Sequence, residues 1–486
     1  MGFVQANLIG PVSNVLYTYI LVYLLVAAGI YFTVRTQFVQ VRYFKRMLGQ
    51  LVHSRSGDGG ISSFQAFCVG LASRVGTGNI AGVAIALTVG GPGAIFWMWV
   101  VALIGMATAF VEATLGQIFK VRADDGTFRG GPAFYIQRGL GSRPGGVVFA
   151  VLLVFTFGFA FNMVQANAIA DVLNTSHNIE VNYTTIGLVL LAAPVLFGGV
   201  RRVAKVAEVV LPLMALAYVL LALVIIALNI TNLPQAFAQI IGGAFGLEQM
   251  AGGFTGGIAA AMLNGVKRGL FSNEAGMGSA PNVAATATVS HPVKQGLIQS
   301  LGVFVDTIII CTATALIILV SGPEIYDPLT SSKMAGASLT ASAVSAGLGS
   351  WTTWLMTILV FVFAFSSVLG NYVYAEINLF FLGARQRGIN IFRIAVLAAI
   401  ALGATAKLST VWDVADIAMG LMALVNLVAI VLLGRWAFAA LRDYHRQAEA
   451  GVDPVFIAED ADLPGRLDGG IWDRPRVTVA ESDVTA

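Results

Sequence analysis

Two glycine-rich stretches hold the residues of this sequence best placed to do chemistry inside a hydrophobic slab. "SRVGTGNIAGV" runs from Ser73 to Val83, and "FSNEAGMGSAP" runs from Phe271 to Pro281. In the first, Gly76, Gly78 and Gly82 each weaken a helix by up to about 1 kcal/mol relative to alanine, and Thr77 and Asn79 add polar groups that hydrocarbon cannot satisfy. A helix that unwinds there exposes free N–H groups at the start of one half and free carbonyls at the end of the other. The former suit a carboxylate and the latter a small hard cation, so the pair suits a zwitterion together with an ion. A glycine-mediated close contact between helices is the competing account of the first stretch taken alone. In the second stretch Asn273 offers an amide that both donates and accepts, Phe271 can cap a pocket, and Glu274 is ionisable at mid-membrane depth. A charge at that depth costs roughly 2.5–3.5 kcal/mol on insertion scales, so Glu274 requires a partner. The candidates are Arg74, Lys267 and Arg268, and such a pair would hold the two stretches in register as a gating or coupling element.

Further polar groups interrupt otherwise apolar runs. Asp306 falls near the middle of a span that begins about Lys294, which makes it a candidate for a cation site or a proton relay. Glu112 lies toward one end of its span and reads as interfacial. Ser366 and Ser367 put adjacent hydroxyls midway along an apolar helix, where bonding to the helix's own backbone is the simpler account. Asn162, Gln165 and Asn167 place amides in a charge-free span, with hydrogen bonding between helices as the alternative. Cys68 and Cys311 both sit in apolar surroundings and read as small buried hydrophobes, so neither a disulfide framework nor a cysteine metal site is expected. No histidine falls in an expected membrane core, which argues against a histidine relay.

The elements that must position these residues follow from hydropathy. Of 486 residues, 57% are hydrophobic and 11% charged, and the mean hydropathy is +0.82, far outside the range of soluble domains. Apolar runs approach the roughly 20 residues needed to cross about 30 Å of hydrocarbon as helix. Eleven spans are expected, about 12–34, 64–90, 93–119, 147–173, 184–200, 204–228, 253–287, 295–321, 350–382, 391–406 and 411–435. Lys and Arg crowd alternate connections, from Arg35, Arg42, Lys45, Arg46 and Arg55 to Arg385, Arg387 and Arg393, whereas the opposite connections carry only Lys333 and Lys407. Basic residues collect on the cytoplasmic side, so the N-terminus is expected outside and the C-terminus inside. The two glycine-rich breaks lie in the second and seventh spans. They lie five spans apart, an odd number, so two five-helix halves would enter from opposite sides as an inverted repeat. Paired interruptions of this kind point to a central solute site. The expected organisation is an N-terminal helix with a basic connection (1–60), a first repeat (61–228), a second repeat (229–440) and a polar, acidic, disordered tail (441–486). The net charge of +3 gives no reason to expect nucleic acid as a partner, and nothing requires an obligatory protein partner.

"SSFQAFCVGLASRVGTGNIAGVAIALTVGGPGAIFWMWV", "GGPAFYI" and "RGLFSNEAGMGSAPNVAATATVSHPVKQGLIQSLGVFVDTIIICTATALI" resemble the alanine or glycine:cation symporter family, also called sodium:alanine symporters, across about residues 10–440. The resemblance implies an all-α integral membrane protein, not an enzyme, of eleven transmembrane helices: an extra N-terminal helix and a leucine-transporter-like 5+5 inverted repeat with two broken helices. It implies a bacterial or archaeal plasma-membrane protein taking up small neutral amino acids, chiefly alanine and glycine, with sodium. Carried over by motif, Gly76, Thr77 and Gly78 would offer backbone groups to the substrate carboxylate, and Asn79 would serve the carboxylate or a cation. Gln165, Phe271 and Asn273 would contact substrate, and sodium would sit among Ser366, Ser367 and the carbonyls of Ala72 and Val75. A proton-coupled or uncoupled carrier on the same fold is the alternative. An ion channel would need a pore-lining charge ring, and a membrane enzyme a nucleophile or metal beside Glu274 and Asp306; neither pattern is present in the sequence.

Overall fold

The structure, a computed structural model, describes residues 10–52, 60–197, 200–246, 257–328, 335–467 and 470–474. Arg55, Lys333 and the end of the tail from 475 lie outside the described residues. The chain is helical nearly throughout. Eight described helices are long and apolar enough to cross a membrane, and a ninth span is formed by Ser63–Arg74 and Gly78–Gly90, which meet at a 48° bend. Val181–Leu196 is apolar but shorter, and the helix Gly257–Asn273 stops where the second glycine-rich stretch begins. Outer helices such as Ala207–Leu228 leave most of their apolar surface uncovered, as a lipid-facing helix must.

Local chemistry sets the two breaks. The first broken helix starts with a capping box in which Ser62 accepts from the Gln65 N–H and the Gln65 side chain accepts from the Ser62 N–H. It runs to Arg74, leaves helical geometry at Val75 (φ −77°, ψ 89°), and resumes as a wide turn over Gly78–Gly82 that leads into Val83–Gly90. The second broken helix ends at Asn273. Three positive φ angles follow within five residues, at Glu274 (58°), Gly276 (88°) and Gly278 (82°), before the short helix Ala280–Ala284. The last two are tolerated because they are glycine; Glu274 is strained there by about 1–2 kcal/mol and persists because its side chain is tied down.

The broken helices are joined at one end of the molecule. The Ile61 N–H bonds the Thr286 carbonyl at 3.2 Å and the Thr288 N–H bonds the Ile61 carbonyl at 3.0 Å, so the entry to the first pairs with the exit of the second. Gly93–Ile118 packs alongside Gly257–Asn273 and Pro292–Val303 and backs both breaks.

The tail departs from expectation. Leu408–Glu449 continues helical well past the end expected near 435, and the described chain after it folds back onto the helix ends rather than lying disordered. The Phe456 N–H bonds the Ser290 carbonyl at 2.8 Å, the Trp472 indole N–H bonds the Gln117 carbonyl at 3.2 Å, and the two rings meet edge to face at 5.4 Å. Phe456, Ala461 and Trp472 are buried. Averaged composition makes this segment look too polar to fold, but three well-spaced apolar side chains seat it.

Candidate functional site

At the first break the backbone N–H of Gly76 donates to Asn79 Oδ1 at 2.9 Å and that of Thr77 donates to Gln165 Oε1 at 3.2 Å. Both freed amides are therefore held by side-chain carbonyls, one local and one from the helix Arg143–His177. A side chain at Gly76 would collide with the Ser367 hydroxyl, so only glycine lets these two elements meet. The Asn79 amide nitrogen reaches Asp306 Oδ1 at 2.7 Å and Ser272 Oγ at 3.1 Å, while Ser272 and Thr307 each donate to Asp306 Oδ2 at 2.8 Å. Asp306 is fully buried, as expected, and its carboxylate links both breaks to the helix Pro292–Val320.

Asn273 spends its amide locally: its oxygen accepts from the Ala275 N–H at 3.0 Å and its nitrogen donates to Thr307 Oγ1 at 3.3 Å. Glu274 does join the two breaks, accepting from Ser73 Oγ at 2.7 Å and Ser279 Oγ at 2.5 Å. Its expected basic partner differs from the geometry. Lys267 and Arg268 both turn to Asp416, with Arg268 Nη2 2.6 Å from Oδ1 and Lys267 Nζ 3.9 Å from Oδ2. Arg74 donates to the Gln299 carbonyl at 3.2 Å. Helical spacing explains the difference: a glutamate turned into left-handed geometry one residue past a helix end points to the hydroxyls across the break, not back along its own helix.

Glu112 is fully buried, accepting from the Gly276 N–H at 3.3 Å and from Asn426 Nδ2 at 2.9 Å, and Asn426 also holds the Gly276 carbonyl at 2.9 Å. The second break thus receives carboxylate and amide partners from two neighbouring helices, as freed backbone in a membrane requires.

The two hydroxyls on Thr352–Phe381 separate in role. Ser367 Oγ donates to the Ala72 carbonyl at 3.0 Å, which places it against the first break, whereas Ser366 Oγ bonds only the Phe363 carbonyl of its own helix at 2.9 Å. Val75, whose ψ of 89° takes its carbonyl out of the helical ladder, lies one turn further on. Ala72, Val75 and Ser367 therefore gather at one place, and Ser366 adjoins it through the Phe363 carbonyl, which Ser367 Oγ also reaches at 3.1 Å.

Aromatic rings pack over the first break. Phe271 stacks between Phe161 (4.4 Å between centroids) and Trp412 (4.5 Å), and a Cβ on Gly78 would press on the Phe271 ring at 3.0 Å. The Arg268 guanidinium lies 4.5 Å over Trp412 while pairing with Asp416. Phe161, Ser272, Thr307, Trp412, Asp416 and Asn426 were not singled out from sequence. Of these, only Asp416 carried a usable signal, as an acid a few residues inside a long apolar helix.

Comparison with known proteins follows the same lines. The chain is 50% identical over 464 residues to a probable sodium/glutamine symporter, GlnT, of Bacillus subtilis, covering 94% of this chain and 95% of that protein. It is 48% identical over 467 residues to the amino-acid carrier protein AlsT of the same organism, covering 96% and 97%. The crystal structure of a manganese transporter from Eremococcus coleocola superposes with a TM-score of 0.54 at 14% identity over 78% of this chain and 80% of that one, a likeness of fold alone. Residues 1–458 match the sodium:alanine symporter family, and on that match, with its broken helices and many apolar spans, the chain belongs to the sodium:alanine symporter family of multi-pass membrane transporters.

Proposed function

We propose that this protein imports small neutral amino acids, alanine and glycine foremost, with sodium, by alternating access across the plasma membrane. The observation that carries the reading is the state of the first break: two backbone N–H groups held by the amide oxygens of Asn79 and Gln165, and beside them a hydroxyl, Ser367, on the carbonyl of Ala72. A substrate carboxylate reaches the Thr77 N–H by displacing Gln165, and sodium replaces the Ser367 hydroxyl proton as the partner of the Ala72 carbonyl. Val75 supplies a further carbonyl and Asn79 joins the two ligands. Phe271, stacked on Trp412, closes over the solute, and Gly78 leaves room for that ring. Asn273 acts through the shape of its helix end, and Glu274, Asp306 and Arg74 couple the breaks. The probable glutamine specificity of one relative makes side-chain size the open variable of the pocket.

The proposal includes eleven spans, an N-terminus outside, a C-terminus in the cytoplasm, and five-helix halves that invert about the two breaks. One monovalent cation moving through about 100 mV releases about 2.3 kcal/mol, and a tenfold gradient adds about 1.4, enough to accumulate a neutral solute several hundredfold. The buried carboxyl of Asp306, bonded to Asn79, favours a proton as the coupling ion in a second reading. Uptake of labelled alanine into proteoliposomes under an imposed sodium, potassium or proton gradient separates the two. Accumulation with sodium alone supports the proposal, and uptake indifferent to every gradient removes it.

A further inference from the structure

At the end of the molecule where the tail docks, a cavity of about 770 Å³ lies beside the start of the first broken helix at Ser63. Four basic side chains line it, Arg42, Lys45, Arg46 and Lys294, against a single acid, Asp453. Asp453 pairs with Lys294. Neither Lys45 nor Arg46 pairs with an acid among the described residues, and Arg46 instead lies 5.5 Å over the Tyr43 ring. The positive end of the Ser63–Arg74 helix adds to the same field. A cavity with this excess of cationic donors is built for an anion with several acceptor oxygens, a phosphate.

The surroundings say where the phosphate comes from. Lys45 and Arg46 sit on a short helix, Phe44–Val52, that follows the first spanning helix. Its exposed side and the turn before it present Phe38, Val41 and Leu48, which are 57%, 72% and 49% exposed. Apolar side chains alternating with basic ones just beyond a spanning helix are the pattern of an element lying in the headgroup layer. A second cavity, of about 200 Å³, shares Arg42 and adds Arg35 and Arg442.

We infer that this basic cavity binds the phosphate of an anionic phospholipid headgroup, which competes with Asp453 for Lys294 and so bears on the docking of the tail. The inference needs the chain to be a membrane protein but not any particular transported solute. The test uses the full-length protein in nanodiscs of phosphatidylcholine containing phosphatidylglycerol, with retained lipid counted by native mass spectrometry. The wild type is expected to retain phosphatidylglycerol over phosphatidylcholine. K45Q/R46Q is expected to reduce that preference about twenty-five-fold, the product of roughly five-fold for each basic side chain near an anionic surface. D453N, which frees Lys294, is expected to strengthen it about five-fold by the same measure. K45R/R46K should keep it, which separates loss of charge from loss of folding. The exposed pair Lys205 and Arg387 provides the control, K205Q/R387Q, which should leave retention unchanged. Wild-type retention in K45Q/R46Q, or equal loss in the control, overturns the site. Displacement by inorganic phosphate at the lipid's concentration makes a soluble anion the occupant and overturns the lipid assignment. An unchanged D453N overturns the seat at Lys294.

Discussion

Two adjacent serines show how one side chain's direction separates function from packing. Both hydroxyls reach the Phe363 carbonyl of their own helix, and Ser367 alone also meets the Ala72 carbonyl across the break. Ser367→Ala is therefore expected to raise the sodium concentration for half-maximal alanine uptake about tenfold, the equivalent of one lost ion contact near 1.4 kcal/mol, and Ser366→Ala to change it less than about two-fold. Equal shifts would mean that the hydroxyls share the ion. Glu274 offers a second residue-scale contrast. Glu274→Ala strands the Ser279 hydroxyl and leaves Ser73 only Asn371 Oδ1 as acceptor, and is expected to cost about 1–3 kcal/mol of stability, read as a lower thermal midpoint, whereas Glu274→Gln keeps an acceptor in place and costs less. If both variants melt together, the hydroxyl bonds do not hold the breaks in register.

At the scale of elements, the helix Gly257–Asn273 is anchored to Leu408–Glu449 by the buried Arg268–Asp416 pair, stacked on Trp412. Removing one partner of a buried pair leaves an uncompensated charge, so Asp416→Asn is expected to destabilise by about 3–5 kcal/mol. Arg268→Met with Asp416→Leu is expected to recover most of that while uptake stays impaired, because packing returns but the charged lid over the aromatic stack does not. Thermal unfolding and uptake measured on the same preparations check the two halves. The tail contributes through Lys120, whose ammonium bonds the Ala287 carbonyl at 3.1 Å and lies 4.7 Å over Trp472. Burial pushes its pKa down to about 7. The unfolded chain keeps that proton up to about pH 10.4, so folding releases it between these values, and stability from this site rises with pH from about 7 to 10 and is flat below. Lys120→Met should flatten the rise. The wild-type thermal midpoint is expected to rise relative to the variant's from pH 7 to pH 9, and a constant difference would contradict the burial of the charge.

At the scale of the whole molecule, transport requires that the two breaks be partnered well enough to survive in lipid yet be free to exchange partners with solute and ion. The carbonyls and amides at the first break are held by neutral, buried side chains, Gln165, Asn79 and Ser367. Those at the second are held by Glu112 and Asn426, which are buried and linked to Tyr135. On the proposed function, the neutral partners of the first break exchange with solute and the carboxylate-held second break serves as scaffold. A Gln165→Ala variant tests it by weakening alanine affinity with the sodium dependence kept.

Sequence by itself determined what depends on neighbours along the chain. Hydropathy requires membrane helices, clustered glycines with polar residues require breaks at Val75–Thr77 and after Asn273, and the capping residues set where the first broken helix begins. The burial of Asp306 and the meeting of Ser367 with Ala72 were legible in the same way, from depth along a span and from motif. Tertiary structure alone decided which partner each buried polar group found. Arg268 bonds an acid 148 residues away and Glu112 a backbone amide 164 residues away, choices fixed by which helix faces approach one another. The tail was decided the same way: its apolar side chains are too sparse to predict folding, and only a surface built from distant loops gives Phe456 and Trp472 somewhere to bury.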